Sequence, residues 1–131
     1  MKAPPISRVA RQFLATGCIA ALLAVALGAF GAHGLKSRIA PELIGVYRTG
    51  VEYHFYHALG LILVGVTAFR LSGSAYLRAA GWAMVAGIVL FSGSLYLLAL
   101  TGAGWLGAIT PFGGLAFLVA WGLFAAAVIK A

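Results

Sequence analysis

Residues 51–60, VEYHFYHALG, place Glu52, His54, His57 and two tyrosines at the head of an apolar run, in a chain where only 8% of residues are charged. Such a cluster offers three chemistries: ligands for a metal ion, a relay for protons or ions, or polar fastening between helices. Helical geometry narrows the choice. At about 100° per residue, Arg48, Glu52 and Tyr56 share one face, so Arg48 can pair with Glu52. His57 points about 140° away from Glu52, and His54 about 160° away on the other side, while the two histidines are only about 60° apart. One helix therefore cannot aim Glu52 and either histidine at a common ion. The two histidines can share one only with ligands from elsewhere, and the remaining histidine is His33, at the end of the first apolar run.

A second polar group follows in FSGSLYLLALTG (91–102), where Ser92, Ser94, Tyr96 and Thr101 can donate across helices or back to the carbonyl four residues earlier. Thr110-Pro111 is a helix-start signal, the hydroxyl capping free N–H groups and proline being tolerated in the first turn. No nucleophile–base pair, acid pair or metal motif is readable in any of this, so no catalytic residue, metal or cofactor is assigned. His33, Arg48, Glu52, His54, His57, Ser92, Ser94 and Thr110 remain the candidate polar cluster. Glu52, His54 and His57 sit in the first turns of their apolar run, where headgroups and water are near. An interfacial Arg48–Glu52 pair and histidines bonded to neighbouring helices are thus the preferred reading, ahead of a proton or ion path through Glu52 and His57.

The elements that must position these residues follow from composition. Of 131 residues 63% are apolar, mean hydropathy is +1.07, and nine Lys or Arg stand against two acids. A soluble domain carries about 25% charged residues; this chain cannot cover itself with polar surface, so its exterior faces lipid. The basic residues flank apolar runs as membrane anchors rather than forming a stripe, which excludes a nucleic-acid module. The length allows one domain, residues 1–131. A single cysteine, Cys18, excludes an internal disulfide and a cysteine-based zinc site, and reads as a small buried thiol.

Crossing the hydrocarbon core takes about 20 apolar residues as a helix. Four stretches qualify: about 13–32, 53–71, 79–100 and 111–129. The fold expected is all-α, a polytopic membrane protein built as a compact four-helix bundle, with an amphipathic segment (33–50) between the first two spans. Pro41 can start a helix that runs into the second span, about 46 Å long from Pro41 to Leu71, and long enough to project, tilt or bend. The first span, after Lys2, Arg8 and Arg11, is longer than a signal-peptide core and is read as retained. Lys and Arg number six on the side of the termini and three on the other, which puts both termini in the cytoplasm.

Close packing, not hydrophobic burial, drives helix association in lipid. Thr16, Ala20, Ala24, Gly28 and Ala32 repeat every four residues in the first span; Ala79, Ala83 and Gly87 do so in the third, and Ala116 and Ala120 in the fourth. Packing within a left-handed bundle is the preferred reading of these rows; a homodimer or a partner helix is the alternative. Trp121, near the middle of the fourth span, reads as an internal filler.

Four blocks in order, LGAFGAHGL (27–35), VEYHFYHALGL (51–61), FSGSLYLLALTG (91–102) and LGAITPFGGLAFLVAW (106–121), resemble the signature of one family of small proteins. It is the YgdD/YwdK-type family of four-helix integral membrane proteins, similar also to eukaryotic transmembrane protein 256-like proteins. The likeness runs from about residue 12 to the C-terminus. It implies four spans and, for bacterial members, the inner membrane. It implies no reaction, and its polar signature positions fall on His33, Glu52, His57, Ser92, Ser94, Thr110 and Pro111. Small size, small-residue packing faces and the lack of a reactive constellation point instead to an accessory, scaffold or assembly protein of the membrane; the alternative is a small oligomeric transporter or channel using Glu52 and His57.

Overall fold

The computed structural model describes all 131 residues and contains helices and turns but no strand. Helix α1 runs from Arg8 to Leu35, its last turn, Gly31–Leu35, wound as a π turn. Helix α2 is Pro41–Leu71, α3 is Ala75–Thr101 with a π turn at Ile88–Ser92, and α4 is Thr110–Ile129, preceded by a 3-10 turn at Gly104–Ala108. All four are long and apolar enough to cross a membrane. Their outer faces present side chains such as Leu22, Val89 and Leu118, as lipid requires. The chain is a multi-pass membrane protein.

The ends are set by local chemistry. Ser7 accepts the Ala10 N–H at 3.1 Å and Ser74 the Leu77 N–H at 3.2 Å, each satisfying an orphan donor of a first turn. Pro41 opens α2 with Glu42 in its first turn. Gly102, at φ 70°, ends α3 in the left-handed conformation that glycine adopts without strain. Pro111 lies in the first turn of α4, but the Thr110 hydroxyl does not cap that helix. It is drawn away by Ser94, as described below.

Helix α2 is the axis of the bundle and its most buried element. It packs along α1 on one side and against α3 and, near the π turn, α4 on the other. On the α1 side its buried or half-buried positions Tyr47, Val51, His54, Ala58, Leu61, Gly65 and Ala68 recur at alternating steps of four and three. Helix α1 answers with Ala10, Gly17, Ala24 and Gly31, seven residues apart. That is the repeat of a left-handed seam. The four-residue rows expected from the sequence are only partly used. In α1 Ala24 is buried, Ala20 and Gly28 half-buried and Ala32 exposed; in α3 Ala79 is exposed. Steps of four drift about 40° around a helix each time and soon leave the seam, whereas steps of seven drift about 20°. The true α3 row is Leu77, Ala80, Met84 and Gly87, and the α4 row is Gly113, Phe117, Ala120 and Ala127.

Two close approaches fix the crossings. A Cβ on Gly17 would lie 2.9 Å from the Ile62 nitrogen and 3.0 Å from the Ala58 oxygen. A Cβ on Gly113 would run into the backbone of Phe91, inside the α3 π turn. Backbone cannot step aside as a side chain can, so glycine is required at both. At the end that carries the termini, Lys130 Nζ donates to Tyr76 Oη at 3.0 Å and lies over its ring.

Candidate functional site

The α1–α2 register sets the depth of the polar residues. Gly31 faces Tyr47, Gly28 faces Val51, and Gly17 faces Ala58 and Ile62. The uncharged stretch of α1, 13–32, therefore lies opposite α2 from about Tyr47 downward. Glu52 comes level with Leu27, about 7 Å inside that stretch, and His57 with Leu22, about 15 Å inside. Against a core about 30 Å thick, His57 sits near the midplane. The expectation that these residues occupy interfacial first turns is thus corrected: α2 has already made three turns before Glu52, because it starts at Pro41.

His57 is the most constrained polar group of the molecule. It is 5% exposed, its Nδ1 lies 2.7 Å from the Tyr53 carbonyl, and its Nε2 accepts the Trp121 indole N–H at 3.1 Å. A carbonyl can only accept and an indole N–H can only donate. The two partners together select the neutral imidazole with its proton on Nδ1. The ring also stacks on Phe117, centroids 3.4 Å apart and planes 9° apart. Trp121 is thus no internal filler. Its ring is 42% exposed, and its N–H ties α4 to α2.

His54, also 5% exposed, faces elsewhere: its Nδ1 is 2.8 Å from Tyr96 Oη on α3. The Tyr96 ring lies 5.3 Å from that of Tyr47, whose hydroxyl donates to the Leu27 carbonyl of α1 at 2.5 Å. The Gly31 face, bare of a Cβ, gives the Tyr47 ring its room. Above the histidines, Ser94 donates to the Phe91 carbonyl at 2.9 Å, which leaves Thr110 to donate to Ser94 Oγ across 2.7 Å. Each of these contacts joins a different pair of helices: α2–α4, α2–α3, α1–α2 and α3–α4.

Three candidates fall outside this net. Ser92 is fully buried, yet its hydroxyl has no partner. Its usual acceptor would be the Ile88 carbonyl four residues back, and the π turn gives that carbonyl to the Gly93 N–H. Glu52 is exposed on the lipid side, lining a shallow furrow with Ala24, Gly28, Val51 and Tyr56. The Arg48–Glu52 pair expected from their spacing does not form: no Lys or Arg nitrogen lies within 4.0 Å of a Glu oxygen. Arg48 instead lines an adjoining cavity, nearer the membrane surface, with Lys36. His33 is exposed at the end of α1, and no three His, Cys, Asp or Glu side chains converge on one point. The structure therefore does not bring His33, His54 and His57 together. Cys18, read as buried, is exposed to the lipid side.

Tyr96, named from sequence as able to bond across helices, does so with His54, whereas Tyr47, Phe117 and Trp121 complete the site and were not singled out as its members. Trp121 lies 64 residues from His57, and no local spacing announces such a pairing. The usable signal was the seven-residue step from Gly113 through Ala120 to Ala127, which defines the inward face of α4 and puts Trp121 at its edge.

A family described as a protein of unknown function, DUF423, matches residues 27–114. The UPF0382 membrane protein YwdK of Bacillus subtilis (strain 168) is 55% identical over 120 residues, covering 92% of this chain and 98% of that protein. The UPF0382 membrane protein SH2409 of Staphylococcus haemolyticus (strain JCSC1435) is 44% identical over 113 residues, 85% of this chain and 89% of that protein. No solved structure matches. With two thirds of its length inside the family's bounds and a relative of near-equal length at 55% identity, the chain belongs to the DUF423 family of membrane proteins.

Proposed function

We propose that this chain is a non-catalytic accessory, scaffold or assembly protein of the bacterial cytoplasmic membrane, with both termini in the cytoplasm. The observation that carries the reading is the state of His57. The ionisable side chain nearest the midplane is closed between the Tyr53 carbonyl, the Trp121 indole and the Phe117 ring, with no nitrogen left for substrate, proton or metal. The Ser94–Thr110 and His54–Tyr96 bonds are used in the same way, as fastenings between helices. Orientation follows from the excess of Lys and Arg on the side of the termini, and the bacterial relatives bear the name of membrane proteins. Extraction from native membranes in mild detergent, with mass determination, tests the role. A stoichiometric partner protein is expected; a clean monomer or homo-oligomer would count against it.

The second reading, a small oligomeric transporter or channel, draws on one observation: Glu52 is an unpaired carboxyl group on the lipid side at membrane depth, where ionisable residues are costly and often functional. It predicts solute or proton flux in proteoliposomes that Glu52→Gln abolishes. Equal flux in parent and variant would remove its basis.

A further inference from the structure

We infer that the furrow between α1 and the first half of α2 binds one anionic phospholipid from the leaflet on the side of the α1–α2 connection, with Lys36 and Arg48 holding its phosphate. This goes beyond the proposed role and does not depend on it.

Three observations converge. The upper part of the furrow is a cavity of about 300 Å³ lined by Lys36 from the end of α1 and Arg48 from α2, together with Gly28, Tyr47 and Val51. Both cations are exposed, and neither has a carboxylate partner. Their level is the end of the uncharged stretch of α1, where a lipid's phosphate meets the hydrocarbon core.

The cavity also continues downward. It shares Gly28 and Val51 with the apolar furrow that descends along α1 to Ala24. From Lys36 to Ala24 the path is about 18 Å at 1.5 Å per residue, close to the roughly 15 Å of one leaflet's half of the core. A cationic mouth above an apolar trough of one-leaflet length fits a molecule with an anionic head and an acyl chain. A small soluble anion would use the mouth and leave the trough without a role. The α1 wall of the trough is made of small residues, Gly28 and the exposed Ala29, so a straight chain can lie close to the helix.

Lys36 and Arg48 set the sign of the head, and Glu52 sets its depth. It stands on the furrow wall one turn below Arg48, so a second negative group cannot settle lower, and the phosphate is held at the mouth. Its removal should not weaken binding of an anionic lipid.

The test is native mass spectrometry of the detergent-solubilised full chain, titrated with phosphatidylglycerol and, separately, phosphatidylcholine. One phosphatidylglycerol should be retained in preference to phosphatidylcholine. An interfacial cation accounts for about fivefold in affinity, so Lys36→Ala and Arg48→Ala should each lower phosphatidylglycerol binding about fivefold, and the double variant about 25-fold. Arg48→Lys should keep the preference, and Glu52→Gln should bind at least as tightly as the parent. Neither cation takes part in a hydrogen bond or ion pair, so the variants should keep the parent's helicity by circular dichroism, which is checked alongside. Equal retention of the two lipids by the parent would overturn the inference. So would a preference that survives the double variant, or weaker binding by Glu52→Gln. Displacement of phosphatidylglycerol by millimolar inorganic phosphate would make the mouth a site for free anions and overturn the assignment to lipid.

Discussion

Trp121→Phe tests the fastening of α4 to α2 at its narrowest point. The substitution keeps an aromatic ring on a residue that is 42% exposed, so little packing is lost. It deletes the N–H that His57 Nε2 accepts at 3.1 Å. The imidazole is 5% exposed, and no water at the midplane replaces the donor. Hydrogen bonds between membrane helices average about 0.6 kcal/mol in double-mutant cycles, with a maximum of about 1.7. An acceptor left unsatisfied in a buried position belongs in the upper half of that range, so a loss of about 1–1.5 kcal/mol is expected. His57→Ala should cost more, about 2–3 kcal/mol, because it also removes the stack on Phe117. The double variant should cost about as much as His57→Ala alone, giving a coupling of about 1 kcal/mol between the two sites. Reversible unfolding in mixed micelles of rising SDS content, followed by helicity, measures all three. A coupling below about 0.3 kcal/mol, within the usual scatter of additivity, would mean that the indole N–H is not held by the imidazole.

Three further outcomes follow from the packing. Gly113→Ala should destabilise by about 2–3 kcal/mol, the upper range for overpacking, because its Cβ meets the Phe91 backbone; Gly122→Ala, where a Cβ meets nothing within 4 Å, should change stability by no more than about 0.5 kcal/mol. Both are read by the same SDS titration. Ser92→Ala should stabilise by about 1 kcal/mol by removing a buried hydroxyl without a partner; a loss of stability would mean that a bound water or ligand satisfies it. Ser94→Ala and Thr110→Val should each cost about 1 kcal/mol and be strongly non-additive, since either one breaks the same 2.7 Å bond.

The membrane class, the helix count and the long α2 were legible because they rest on composition and on run length. Thirty-one residues from Pro41 to Leu71 form one helix, and the proline that starts it is visible as such. What was not legible depends on which helix faces which. The sequence places Glu52 at the head of an apolar run, yet its depth is set by α1: Gly31 against Tyr47 and Gly28 against Val51 slide α2 until Glu52 stands well inside. The small-residue rows failed for a related reason. A step of four is the nearest integer to one helical turn and draws the eye, but a straight seam between two long helices needs seven, and Ala10, Gly17, Ala24 and Gly31 carry it. Arg48 and Glu52 are correctly spaced to pair, but each lines a different part of the furrow on the lipid side. The π turn at Ile88–Ser92 had no signal beyond its flanking glycines, Gly87 and Gly93, yet it decides that Ser92 is left without a partner.

Whether His57 is a neutral fastening or a proton carrier is decided by its tautomer. Solid-state nitrogen-15 NMR of the full chain in lipid bilayers, with labelled histidine, distinguishes the two ring nitrogens and their bound protons. A neutral ring is predicted, protonated at Nδ1 toward the Tyr53 carbonyl, with Nε2 bare and in hydrogen-bond contact with the Trp121 indole. A proton on Nε2, whether in the other tautomer or in an imidazolium, would rule out the fastening, because the Trp121 N–H would then have no acceptor and His57 would be free to pass a proton on.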